Sequence, residues 1–116
     1  MEESKIYYNP NCGTCRKVRE AMEAKGLKPV VIEYLRNPPS AQELDQVLRM
    51  AGLAPEQAAR KKEEVYAKLK LSEKKLDRQA WLKILTENPV LIERPLVVIG
   101  KKAILARPPE RVQEIL

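Results

Sequence analysis

The opening segment of the chain limits the fold more than any other. It carries a short apolar run from Lys5 to Tyr8, a turn cluster Asn9-Pro10-Asn11, a helix-period stretch from Gly13 to Lys25, and a β-branched apolar run from Pro29 to Tyr34. Asn and Pro after the first run mark the end of a strand and the start of a loop. Val18, Ala21, Met22 and Lys25 then recur at helical spacing, and Gly26 supplies a C-terminal stop. Two strands joined by one helix over so few residues must form a right-handed parallel crossover. The expected class is α/β, and the loop between the first strand and the helix holds Cys12.

The character changes at Asn37-Pro38-Pro39. Ser40-Ala-Gln-Glu43 predicts a capping box that opens a helix with Leu44, Val47, Leu48 and Ala51 on one side and Gly52 as its stop. Pro55 to Lys62, Glu64 to Leu69 and Asp77 to Glu87 also favour helix, with Pro89 marking an end. A helical insert over about 37–93 follows from this pattern. Arg94-Pro95 then opens a strand, Leu96 to Ile99, and Gly100-Lys101 turns it into a second, Lys102 to Leu105. Pro108-Pro109 suits the first turn of a closing helix with Val112, Ile115 and Leu116 facing inward. The expected order is β-α-β, helical insert, β-β-α. A chain of 116 residues with 44% hydrophobic content can bury one core, so a single domain over 1–116 is expected.

Composition removes several function classes. The N-terminus lacks the basic start and apolar core of a secretory signal, and no run approaches the roughly 20 apolar residues of a membrane span. A soluble, cytoplasmic protein with no membrane contact is expected. The net charge of +6 suggests an anionic partner, although the lysines of the middle segment read as a solvated helical face. RNP-type aromatics, zinc-ligand spacing and sustained heptads are all missing, which argues against a nucleic acid partner. Histidine is absent, which excludes Ser-His-Asp and Cys-His catalysis and speaks against a transition-metal site. The two cysteines stand as Cys12-Gly-Thr-Cys15, a spacing that reads as redox chemistry in a cytosolic chain.

Cys12 falls between a strand end and a helix start, where the free N–H groups of Gly13 and Thr14 and the helix dipole favour an anion. Such a site lowers a thiol pKa from about 8.5 into the range of roughly 3.5–7.5, so a nucleophilic thiolate is expected at neutral pH. Pro10, Asn11, Gly13 and Thr14 are loop formers, which predicts an exposed Cys12. Cys15, one helical turn on, is near enough to form a disulfide with Cys12 or to pack beneath the first turn, and both readings stay open. A two-residue turn at Gly100-Lys101 pairs Ile99 with Lys102 and Leu96 with Leu105, and by extension Arg94 with Arg107. Like charges facing across strands are destabilising, so an anion is expected to compensate them. If the first strand runs antiparallel to the third, both arginines come beside the Cys12 loop. Arg94-Pro95, at a strand entrance, is a candidate cis bond.

The segments Tyr7-Tyr-Asn-Pro-Asn-Cys12-Gly-Thr-Cys-Arg16, Tyr34-Leu-Arg-Asn-Pro-Pro39, Arg60-Lys61, Glu93-Arg-Pro-Leu-Val-Val98 and Ala106-Arg-Pro-Pro109 together resemble the arsenate reductase family of the glutaredoxin type, which also includes the Spx transcription regulators. The resemblance spans nearly the whole chain. It implies a thioredoxin-like fold with a helical insert and reduction of arsenate, or a similar oxyanion, through Cys12. It also implies three oxyanion-binding arginines, matching Arg60, Arg94 and Arg107 here. Arg60 rests on the resemblance alone, because beside Lys61-Lys62 it otherwise reads as surface. No bound cofactor is implied. The electron donor would be glutathione with glutaredoxin, or Cys15 followed by thioredoxin. Two departures bear on the chemistry: Tyr8 stands where many members carry histidine, and Cys15 stands where glutathione-linked members carry serine. The rival reading is an Spx-like redox-sensing regulator that binds RNA polymerase through a Cys12–Cys15 switch. The enzyme is preferred because Arg107 within Ala106-Arg-Pro-Pro109 completes an anion site that a regulator has no need to keep. A third reading is a family member that acts on another thiol or oxyanion.

Overall fold

Alternation along the first strand decides how the chain layers itself. In the computed structural model, which describes residues 3–116, β1 runs Ser4–Tyr8. Ile6 and Tyr8 join one apolar cluster while Tyr7 joins another. Side chains two apart share a face, so one strand feeds a core on each side of the sheet. α1 (Gly13–Ala24) and β2 (Val30–Glu33) complete the parallel crossover, with Ile6 opposite Val31 and Tyr8 opposite Glu33. α1 ends at Gly26, whose φ of +84° a side chain would resist, while the Leu27 N–H reaches back to the Met22 carbonyl at 3.2 Å.

The insert holds α2 (Ala41–Met50), α3 (Glu64–Lys68) and α4 (Arg78–Glu87), with 3-10 turns at Pro55–Ala58, Leu71–Glu73 and Pro89–Leu91. β3 (Leu96–Ile99) and β4 (Lys102–Leu105) form the expected hairpin, with Leu96 opposite Leu105, Ile99 opposite Lys102, and Gly100 at φ +59° in the turn. The sheet order is β2-β1-β3-β4, and β3 lies antiparallel to β1. α1 and the C-terminal segment cover one face through Val18, Met22 and Val112 against Val97, Ile99 and Ile104. The insert covers the other through Leu44, Leu48, Leu82 and Leu85 against Tyr7, Tyr34 and Leu96. Truncating Leu48 on one face or Met22 on the other, both fully buried, to alanine costs about 2–5 kcal/mol, so each face is needed for stability.

Three expectations need correction. The capping box is only half made: Ser40 Oγ accepts the Glu43 N–H at 3.1 Å, but the Glu43 carboxylate turns to the Tyr7 hydroxyl at 2.6 Å. The helix expected over Pro55 to Lys62 stops at Ala58, because Ala59 forms an antiparallel bridge with Ile92. Two backbone bonds of 2.7 Å, Arg60 N–H to Leu91 O and Glu93 N–H to Ala58 O, hold that bridge and outweigh local helix propensity. The closing helix is a 3-10 segment, Pro109–Glu114, with Val112 buried and Ile115 and Leu116 half-buried. Besides Arg94–Pro95, Arg107–Pro108 is also cis. Among the described residues no helix is long and apolar enough to cross a membrane.

Candidate active site

Because β1 and β2 are parallel and β3 runs against them, the loop leaving β1, the end of β2 and the entrance to β3 meet at one edge of the sheet. The Asn9 carbonyl accepts the Cys12 N–H at 3.0 Å, and the Asn9 side chain accepts the Asn11 N–H at 2.9 Å, which folds the loop tightly over the helix start. Cys12 is the N-cap residue of α1, and Gly13 and Thr14 open the helix with N–H groups that have no acceptor within it. A methyl group built on Gly13 would meet only Arg16 Nη2, at 3.9 Å, so the approach over this turn is open.

The expectation of an exposed Cys12 does not hold. Pro10, Asn11 and Gly13 are exposed, but Cys12 is 7% accessible and packs with Tyr8, Cys15 and Val18. Loop formers set the backbone in solvent while the sulfur turns inward. Such burial alone would raise the thiol pKa. The Cys15 backbone N–H, the Arg94 guanidinium, the Cys15 thiol and the Arg107 guanidinium more than offset it and lower the pKa from 9.0 to about 6. Cys12 lacks the tight side-chain cap bond that an oxygen would make, yet its larger sulfur still lies in the field of the helix N–H groups.

Cys15 is fully buried, and its environment acts in the opposite sense. Burial raises its pKa most, the Asn9 backbone N–H opposes this, and the hydrogen bond and charge of Cys12 add to the rise, which reaches about 12. The Cys15 thiol therefore keeps its proton and donates it toward the Cys12 thiolate. The two sulfurs are free rather than joined.

Arg94 and Arg107 come together as the hairpin register requires. Ala106 N–H bonds Pro95 O at 3.0 Å, and Arg107 Nη1 donates to Arg94 O at 3.3 Å. Both guanidinium groups face Cys12, and Arg94 Nε is buried without a partner among the described residues. Arg60 takes another position. Its Nε donates to Glu63 Oε1 at 3.1 Å and its Nη1 to Glu93 Oε1 at 2.6 Å, which leaves three of its five N–H donors for a ligand. Arg60, Lys61, Lys62, Glu93 and Arg107 line a cleft of about 360 Å³.

Glu93 is the residue that sequence reasoning missed. Its Oε1 also lies 3.8 Å from Arg107 Nε and 3.4 Å from the Arg94 backbone nitrogen, so one carboxylate supports all three arginines. The available signal was the need for an anion near Arg94 and Arg107, with Glu93 adjacent in sequence. Tyr8, in the position where histidine was noted, carries the Arg19 guanidinium 5.5 Å above its ring. Among the described residues no group of three His, Cys, Asp or Glu side chains is gathered to hold a metal ion.

The geometry agrees with three comparisons. The model of the ArsC family matches residues 7–115. An arsenate reductase of Rhizobium meliloti is 41% identical over 111 residues, covering 96% of this chain and 79% of its own. The uncharacterized protein YfgD of Escherichia coli is 36% identical over 116 residues, covering 99% and 98%. An arsenate reductase from Vibrio cholerae superposes with a TM-score of 0.93 at 40% identity, over 99% of this chain and 98% of that one. The fold is the thioredoxin-like one, and the chain belongs to the ArsC family.

Proposed function

We propose that this protein is an enzyme that reduces arsenate to arsenite with thiols as the source of electrons. Relatives named arsenate reductase support the activity, and one observation carries the mechanism: a thiolate with a pKa of about 6 held between Arg94 and Arg107. Arsenate enters as a tetrahedral oxyanion. Arg60, Arg94 and Arg107 bind its oxygens through their planar donor forks, and the Gly13 and Thr14 N–H groups at the helix start complete the cradle. The Cys12 thiolate attacks arsenic. A sulfur–arsenic bond forms, one arsenic–oxygen bond breaks, and that oxygen leaves as water with protons from the arsenate hydroxyl and solvent. A second thiolate then attacks the Cys12 sulfur, and the sulfur–arsenic electron pair stays on arsenic. Arsenic(V) becomes arsenic(III), and two thiols become one disulfide.

The second thiol comes from Cys15, with thioredoxin reducing the resulting disulfide, or from glutathione, with glutaredoxin doing so. Proximity favours Cys15. Its pKa is raised in part by the Cys12 charge and hydrogen bond, and both change once Cys12 is bonded to arsenic. Adduct formation thereby removes part of the barrier to ionising Cys15. The rival raised from the sequence, an Spx-like regulator binding RNA polymerase, is not favoured by these relatives.

Arsenate-dependent oxidation of NADPH by the purified protein tests the proposal, run once with glutathione, glutaredoxin and glutathione reductase and once with thioredoxin and its reductase. Turnover in at least one system is expected. Its absence in both defeats the reading.

A further inference from the structure

Two tyrosines, Tyr7 on β1 and Tyr34 just past the end of β2, end differently. The Tyr7 hydroxyl is taken up by Glu43 at 2.6 Å inside the protein. Tyr34 is 1% exposed, and its hydroxyl is buried with no hydrogen-bond partner among the described residues. Buried polar groups are nearly always paired, and an orphan at a site edge calls for a reason. Tyr8 lies opposite Glu33 in the parallel pair, so Asn9 and Tyr34 leave the sheet from the same edge, and Asn9 starts the loop that carries Cys12. The charges of Arg94, Arg60 and Cys12 all act on the Tyr34 phenol. The other orphan donor of this edge, Arg94 Nε, belongs to the guanidinium that faces Cys12.

We propose that the Tyr34 hydroxyl is a substrate-binding group, a neutral donor that hydrogen-bonds the oxyanion held between Cys12 and Arg94. This rests on the oxyanion reading of the site and adds a donor of a different kind to it. Three guanidinium groups attract any anion of suitable size by charge. An uncharged donor fixed one residue past the end of β2 contributes direction instead, aligning one oxygen while the arginines take the others. Burial holds the phenol in its protonated form, so it stays a donor across the working pH range.

Tyr34→Phe is the test, since it keeps the ring that packs in the core and removes only the hydroxyl. For wild type and variant, kcat and KM for arsenate are measured together with the thermal midpoint and the pH profile of Cys12 alkylation. The expected result is a fall in kcat/KM of roughly 10- to 150-fold, carried mainly by KM, the range for one hydrogen bond to a charged acceptor. The thermal midpoint should hold or rise, because the lost hydroxyl was unpartnered, and the alkylation midpoint should stay near pH 6. Unchanged kcat/KM overturns the assignment. A loss accompanied by a lower thermal midpoint or a displaced alkylation profile also overturns it, since Tyr34 would then act through packing. If wild-type protein itself shows no arsenate-dependent turnover, the proposed function fails and this assignment falls with it, a result distinct from the failure of Tyr34 alone.

Discussion

The outer and inner sides of the first turn of α1 hold the same functional group in opposite states. Cys12, at the mouth, sits among N–H groups and two guanidinium groups that favour its anion, and its pKa drops to about 6. Cys15, one turn on, lies inside the apolar layer with a thiolate for a neighbour, and its pKa climbs to about 12. Burial disfavours the charged form of both. The difference comes from which charges share the burial, and it lets one short segment supply a nucleophile and a proton-bearing reserve thiol.

Replacing the nucleophile should have the largest effect. Cys12→Ser is expected to abolish arsenate turnover and to end alkylation by iodoacetamide at pH 6.5, since the remaining Cys15 thiol is buried and protonated. A variant that keeps wild-type turnover would break the comparison outright.

Next in size are the arginines that make the outer side different. Arg94→Ala should weaken oxyanion binding by about 1.5–3 kcal/mol, the range for hydrogen bonds to charged groups. It should also move the midpoint of Cys12 alkylation upward from pH 6, toward 9.0. Arg107→Ala should act in the same direction but less, because Arg107 is the weaker of the two influences on the thiol. Binding measured by calorimetry and alkylation followed by mass spectrometry check both. No effect from either would mean that the helix terminus alone holds the thiolate, and equal effects would mean that the two arginines share the role evenly.

Stability against pH offers a subtler contrast. Between pH 6 and 9 an unfolded Cys12 is protonated while the native one is ionised, so native stability should rise with pH through that window and be lost as pH falls through 6. Between pH 9 and 12 an unfolded Cys15 ionises while the native thiol does not, so stability should fall with rising pH. Urea denaturation at intervals across this range, repeated on Cys12→Ser and Cys15→Ser, should flatten one limb in each variant. A variant that flattens the wrong limb would reverse the assignment.

The smallest expected signal is chemical. Arsenate-treated wild-type protein without added thiol should lose two hydrogens as the Cys12–Cys15 disulfide forms, and Cys15→Ser should retain the arsenic adduct instead. Turnover that needs glutathione and never shows this mass loss would make Cys15 a packing residue.

Local signals carried far in this chain and then stopped for identifiable reasons. The β1-α1-β2 crossover and the hairpin register were legible because period-2 and period-3.6 apolar patterns and the Gly100 turn are written in neighbouring residues. The juxtaposition of Arg94 and Arg107 followed from that register. The departures all involve partners distant in sequence. Glu43 left its own capping box for Tyr7 across the core, and Ala59 left a helix-prone segment to bridge Ile92. Glu93 gains its role only when that bridge sets Arg60 beside it. The inward turn of the Cys12 sulfur was hidden because loop-forming neighbours report on backbone, not on where one side chain points.

The bridge between Ala59 and Ile92 works as a clasp at the neck of the second part of the insert, which carries α3 and α4. The chain leaves the site region after Arg60 and returns just before Glu93, with the neck closed by two short backbone bonds. Everything between is a closed loop, and closing a longer one adds only about 0.6 kcal/mol for each doubling of its length. Segments of the loop away from the core, such as the exposed stretch Ser72 to Lys75, can therefore lengthen or shorten without altering the spacing of Arg60 and Glu93. The clasp separates the variable outline of the molecule from the fixed dimensions of its anion cradle.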